Sequence, residues 1–398
     1  MTPQMADEAI ACQLTPFQVE ERPLEQCIGQ ILRQDIFAER DNPPFDRVCM
    51  DGIAIDSGAL VRGTRRFVIL GIQAAGVPPL RLLSPDGAVE VMTGAVLPPG
   101  TDCVIPQEEY EEADGAAALK PAVAAAPYRN VQRRGEDSQP GVAMLTAGVR
   151  LGATEIGVAA SAGLGRICVS RQPRFMIIST GDELIEPGQP IAEHQVRRSN
   201  AYSLIAALRE RGFEKVGNDH LPDNETLLRD RLALHLRSQD VLVLSGGVSK
   251  GKYDFVPKVL KDLGVREVFH QVAQRPGMPM WFGVSQGGAA VFGLPGNPVS
   301  TLICLVRYII PSVTSAMGKL KSPPERVPLA APVKFGRAFT YFLPVHVQYD
   351  DHGRPSATPR RTNGPGDFLG LTAAQGFVEL PPSTEPFPEG YVANLYRW

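Results

Sequence analysis

The stretch Val241-Leu242-Val243-Leu244-Ser245-Gly246-Gly247-Val248-Ser249-Lys250-Gly251-Lys252-Tyr253-Asp254 runs from consecutive apolar residues into a glycine-rich turn. Such a run, closed by glycine, predicts a buried strand, and the apolar pattern after it, over 255–263, predicts a helix. Clustered glycines let successive backbone N–H groups face an anion where a helix begins. From Gly246 the spacing is G-x-x-x-x-G-K, but Tyr253 stands where a phosphate-binding P-loop needs Ser or Thr to ligate Mg2+. An ATPase loop is therefore not expected, although the anion-binding character of Ser245, Gly246, Gly247 and Ser249 is. Asp254 is then placed to meet a metal or a ribose.

Outward from this stretch, strand-like and helix-like runs alternate: 175–178, 201–211, 225–236, 241–244, 255–263, 289–292 and 299–310. Alternation of this kind predicts a three-layer α/β domain, a mostly parallel sheet with helices on both faces. Ligands of open α/β sheets bind beyond the carboxyl ends of the strands. Two further strand ends have the required chemistry. Ser179-Thr180-Gly181-Asp182-Glu183 sets adjacent carboxylates after a glycine turn, suited to holding Mg2+ or activating water; Asp182 reads equally well as a helix N-cap. Pro295-Gly296-Asn297-Pro298 is a turn whose second proline can open a helix without wasting a donor, and it suits either an oxyanion or a rigid corner. Arg275, in Arg275-Pro276-Gly277-Met278-Pro279, can hold an oxyanion in bidentate fashion or simply be a solvated arginine.

The flanks have a different texture. Apolar spacings over 5–38 suit helical pieces, with Pro23 opening a second helix. Asp41-Asn42-Pro43-Pro44 breaks that pattern, and short strands with Gly and Pro turns follow through Pro106. The alanine-rich 113–127 reads as a surface loop, after which Arg133-Arg134-Gly135-Glu136-Asp137 returns toward the first segment. Beyond Ser322 short strands resume to Trp398.

With 398 residues, 43% hydrophobic and 21% charged, the chain can bury several cores. A net charge of −3 gives no global basic field, so nucleic acid is not an expected partner and an anion site must be local. Six scattered cysteines without a C-x-x-C pair argue for reduced thiols rather than zinc, and no export signal opens the chain; a cytoplasmic protein is expected. The apolar run 299–313 is broken by Arg307 and Pro311, which predicts a buried helix rather than a span of a hydrocarbon core about 30 Å thick.

In order, Met50-Asp51-Gly52, Met92-Thr93-Gly94-Ala95, Arg134-Gly135-Glu136-Asp137, Ser179 to Glu183, Ser245 to Ser249 and Leu294 to Pro298 resemble the molybdenum-insertase (molybdopterin molybdenumtransferase) family, to which the C-terminal part of gephyrin belongs. The resemblance implies a homodimer of four-domain subunits: a discontinuous linker (1–40 and 133–172), an inserted small β domain (41–132), a molybdopterin-binding α/β domain (173–321) and a C-terminal β barrel-like domain (322–398). It implies Mg2+-dependent insertion of molybdate, or tungstate, into adenylylated molybdopterin with release of AMP, and an upstream molybdopterin adenylyltransferase as a partner. Asp182, Glu183, Asp223 and Asp254 would be the acids of the nucleotide and metal region. Asp51, Thr93 and Asp137 would come from the other subunit to join Glu183 in catalysis.

The chain departs from the family where lysines are usual, at Gln271, Arg275 and Met278, so that one cation is exchanged and two are lost; near Gly366, Asp367 stands for a serine. Arg129, Arg133 or Arg134 would have to compensate. Two alternatives to an active insertase follow: a paralogue that binds molybdopterin or carries the cofactor, and a molybdopterin adenylyltransferase.

Overall fold

The computed structural model describes residues 1–247, 256–360, 362–364 and 366–398. The chain forms two compact units, one comprising Met1–Gln34, Ala147–Gly152 and Arg166–Trp398, the other Asp35–Thr146 and Ala153–Gly165. The segments expected to make one linker are thus shared between both units.

In the α/β domain the strands are β1 (Phe175–Thr180), β2 (Val216–Leu221), β3 (Val241–Ser245), β4 (Arg266–His270), β5 (Trp281–Val284) and β6 (Ala290–Leu294). The helices are α1 (Ser199–Glu210), α2 (Glu225–Ser238), α3 (Val256–Asp262) and α4 (Pro298–Ala316). Sheet order is β2-β1-β3-β6-β5-β4, the first four strands parallel, β5 antiparallel to both its neighbours and β4 running with the first four. The period of two in β3 assigns its side chains to opposite faces. Val241 and Val243 pack with Leu204 and Leu208 of α1 and Ile303 and Ile309 of α4. Leu242 and Leu244 pack with Leu228 and Leu232 of α2 and Val259 and Leu260 of α3. Every residue of β3 is buried, as an inner strand between two helical layers requires.

The helix α4 is long and apolar enough by composition to cross a membrane, yet 72% of its window is buried inside the fold, so its apolar surface is satisfied by the domain core. It is α-helical at both ends, with a π turn over Leu305–Ile309 between them. Pro311 explains the wider turn, since in an unbroken α-helix its ring would collide with the carbonyl of Arg307. This turn places Arg307 in the interior at 8% exposure. Its guanidinium pairs with Asp7 at 2.9 Å and Glu379 at 2.9 Å, between the rings of Tyr308 and Tyr396.

At the opposite end of the sheet from the site, Asp240 precedes β3 and accepts five hydrogen bonds, from Arg171 and from the backbone and guanidinium of Arg174. Burial alone would raise its pKa, but the two arginines outweigh that and hold it well below the ordinary carboxylate range. Its contribution is therefore complete above about pH 4, the unfolded value, and is lost as pH falls toward the folded one. Asp240→Asn is expected to cost about 2–3 kcal/mol at neutral pH. Denaturant melts should find the gap between wild type and variant closing in acid; a gap independent of pH would show that the charge is not what matters.

Two flank expectations are corrected. Val19–Pro23 is a strand, antiparallel to Arg166–Ser170, and Pro23 leads only into a 3-10 turn over Leu24–Gln26. A ladder partner distant in sequence overrides the local helical spacing. Ala116–Leu119, expected in a loop, is a strand between Tyr110–Ala113 and Arg66–Gln73. Its Ala116 and Ala117 are buried, and Ala117 joins the core of that unit with Ile53, Phe67 and Ile105. The second unit's sheet runs Cys103–Pro106, Gly52–Ile55, Gly87–Val91, Arg66–Gln73, Ala116–Leu119, Tyr110–Ala113. In the C-terminal domain Thr340–Tyr349 pairs with both Pro355–Pro359 and Gly376–Leu380, and the path continues through Val392–Arg397 to Glu325–Pro328. A bridge between Leu329 and Ala357 brings the ends of that path together, which gives the barrel-like form.

Candidate functional site

Parallel order carries the ends of β1, β3 and β6 to one edge of the sheet, where their turns surround a cavity of about 440 Å3. Ser179, Thr180, Glu183, Ser245, Gly246, Gly296, Asn297 and Pro298 line it, so eight of the expected site residues meet there. Glycine is required at two of these turns. A Cβ on Gly181, at φ +134°, would lie 2.5 Å from a carboxylate oxygen of Glu183, and one on Gly246, at φ +95°, would lie 2.8 Å from the carbonyl oxygen of Thr180.

Residues 199 and 200 open α1, and Asn200 had no sequence signal beyond its place at a helix start. Its amide nitrogen donates to Ser245 Oγ at 2.9 Å and to the Gly296 carbonyl at 2.7 Å, tying the turns after β3 and β6 together. Thr301 fixes the second of these turns from below, its hydroxyl donating to the carbonyls of Pro295 and Asn297. Arg197 and Arg198 also line the cavity; Arg197 is held by the carbonyls of Glu186 and Gln189, and Arg198 pairs with Glu186 at 3.1 Å.

Four buried polar atoms in this lining have no hydrogen-bond partner among the described residues: Ser179 Oγ, Thr180 Oγ1, Asn200 Oδ1 and Arg198 Nε. Buried polar atoms left unsatisfied cost about 1–3 kcal/mol each, and these four cluster beside the cavity at the strand ends.

Asp182 accepts the backbone N–H of Asp223 through Oδ1 at 3.1 Å, which joins the acids at the ends of β1 and β2. Asp182, Glu183 and Asp223 are therefore neighbours. Ser249 and Asp254 lie outside the described residues, and with them the third member of the expected metal set; no group of three metal-ligating side chains occurs among the described residues. Asp182 and Glu183 are hard oxygen donors, chemically suited to Mg2+.

A second cavity of about 440 Å3 shares the β6 turn and collects Arg275, Met278, Pro295, Asn297, Ser300 and, from the C-terminal domain, Arg360. Gln271 is not among its lining residues. Asp367 does not aim its charge at an anion: its carboxylate accepts the N–H groups of Asn363 and Gly370 at 2.9 Å each, capping the helix Phe368–Leu371, and these contacts lower its pKa.

In the second unit, the Asp51 carboxylate accepts both the backbone N–H and the hydroxyl of Thr93, each at 2.7 Å, contacts that lower its pKa. Asp137 accepts from Gln132 at 3.0 Å. The arginines named as compensating cations are engaged locally: Arg129 with Glu109, Arg134 with Asp41, and Arg133 over the ring of Tyr128 at 3.9 Å.

The fold and cavities define a multidomain protein built around a ligand-binding α/β domain, and comparison with known proteins says of which kind. Residues 2–163 match the MoeA N-terminal region (domain I and II), 176–315 a probable molybdopterin binding domain, and 326–398 the MoeA C-terminal region (domain IV). A Synechocystis protein named molybdopterin molybdenumtransferase is 39% identical over 93% of both chains, and one of the same name from Haemophilus influenzae is 33% identical over 78% of this chain and 76% of that one. The crystal structure of a molybdopterin biosynthesis MoeA protein from Pyrococcus horikosii superposes with a TM-score of 0.79 at 29% identity, covering 100% of this chain and 98% of that one. The chain belongs to the molybdopterin molybdenumtransferase family, a family of enzymes.

Proposed function

We propose that this protein inserts molybdenum from molybdate into molybdopterin, taking the pterin as its adenylylated form and releasing AMP and molybdenum cofactor. The cluster of unsatisfied Ser179, Thr180, Asn200 and Arg198 atoms is the observation that carries this reading, because it lies at the strand ends of the domain matched to molybdopterin binding. The first cavity receives the pterin nucleotide, and the adjoining Arg275 cavity receives the tetrahedral oxyanion. Asp182 and Glu183, with Asp254, would hold Mg2+, which when bound neutralises phosphate charge during anhydride cleavage. Asn200 holds the two turns at a fixed spacing, Ser179 and Thr180 offer hydroxyls to the substrate, and Glu183 orients the attacking water. The reading includes a cytoplasmic homodimer in four domains per subunit, with Asp51, Thr93 and Asp137 contributed by the second subunit, and substrate delivered by the molybdopterin adenylyltransferase.

The test is incubation with adenylylated molybdopterin, Mg2+ and molybdate. Molybdate-dependent release of AMP is expected, and its absence at high protein concentration would sink the proposal. Cofactor binding without turnover would favour the carrier alternative, and pyrophosphate release from ATP and molybdopterin the adenylyltransferase one. The capped position of Asp367 removes part of the motive for a weakened site.

A further inference from the structure

Resting on that reading of the second cavity, we infer that Arg360 of the C-terminal domain is an anion-binding residue, which with Arg275 forms a two-guanidinium clamp matched in charge to a tetrahedral dianion. Both arginines line the cavity, and among the described residues no carboxylate does. Among the described residues neither arginine forms an ion pair. Arg275 lies near the Phe339 ring, 5.9 Å from its centroid, a contact that leaves its donors open. Arg360 follows directly on a strand of fixed register, Val345 opposite Pro359, and its N–H donates to the Pro344 carbonyl at 2.8 Å. The place of its backbone beside the cavity is therefore set by the sheet.

The remaining wall strengthens this assignment. Met278, Pro279, Pro295 and Val299 make one side of the cavity apolar, and Ser300 adds a small polar group. Two positive charges on the rim of one cavity repel, and a doubly charged anion between them offsets that repulsion. Planar guanidiniums also supply paired donors that suit oxyanion edges. The clamp explains how the site manages with Met278 where a cation was expected: the second charge comes from a different domain.

The test uses the full-length protein and calorimetric titration with tungstate and with perrhenate, a tetrahedral monoanion of similar size. Wild type should bind tungstate more tightly than perrhenate. R360A should weaken tungstate binding about ten- to a hundredfold while affecting perrhenate less, so the preference narrows. R360K should recover part of the loss, and thermal melts should place all three proteins together, since Arg360 is exposed. Tungstate binding by R360A equal to wild type, an equal loss for both anions, or no tungstate binding by wild type would each overturn the inference. Failure of the proposed function reads out separately, as Arg360-dependent tungstate binding by a wild-type protein that releases no AMP.

Discussion

Arg307→Ala is expected to destabilise the protein by about 3–5 kcal/mol, enough to strip it of most of its margin against unfolding. The guanidinium is the shared partner of Asp7, from the N-terminal helix Pro3–Ala11, and Glu379, from the C-terminal domain, inside a wall of Tyr308 and Tyr396. Removing it leaves the largely buried Glu379 carboxylate without its cation, while Asp7, 40% exposed, is only partly shielded from water. Burial already raises the pKa of Asp7 against the opposing pull of Arg307. Without the arginine the carboxyl rises further, and a folded value above the unfolded one costs stability once pH exceeds about 4. The deficit should therefore shrink in acid, the reverse of ordinary acid denaturation. Chemical denaturation of the two proteins at pH 4 and pH 7 checks both claims; a loss under 1 kcal/mol at pH 7 would refute the first.

Asn200→Ala should leave the fold intact and lower kcat/KM for adenylylated molybdopterin by about ten- to a hundredfold. The amide makes two hydrogen bonds that hold the β3 and β6 turns together, and its own oxygen is one of the unsatisfied atoms in the cavity. Loss of this brace lets the turns separate, and misplacement of reacting groups by about 1 Å costs on that scale. Asn200→Asp is the sharper variant, because a carboxylate would face the Gly296 carbonyl where a donor is needed. Activity within twofold of wild type for both variants would remove Asn200 from the site.

Much of the α/β domain was legible because inner strands and amphipathic helices write their periods plainly. The run from Val241 to Leu244 could hardly be anything but a strand, and glycines at 246 and 181 marked turns that tolerate no Cβ. The strands Arg266–His270 and Trp281–Val284 were missed since they are short and mix charge with aromatics, and their existence depends on pairing with each other and with β6. Val19–Pro23 likewise becomes a strand only through a partner almost 150 residues away. At the site, the backbone-driven residues were readable from turn chemistry. Asn200 and Arg360 were not, because each acts across elements: one from a helix start, the other from the far end of a hairpin in another domain. Sequence spacing cannot report such meetings.

The π turn of α4 also fixes how this chain tolerates insertions and deletions. Its extra residue is offset against Pro311, so removing one residue from Leu305–Ile309 would tighten the turn only by driving the proline ring into the carbonyl before it. That carbonyl belongs to Arg307, the residue whose guanidinium ties Asp7 of the N-terminal helix to Glu379 of the C-terminal domain. The spacing of residues 305–309 is thus a constraint on how three distant stretches of the chain are held together.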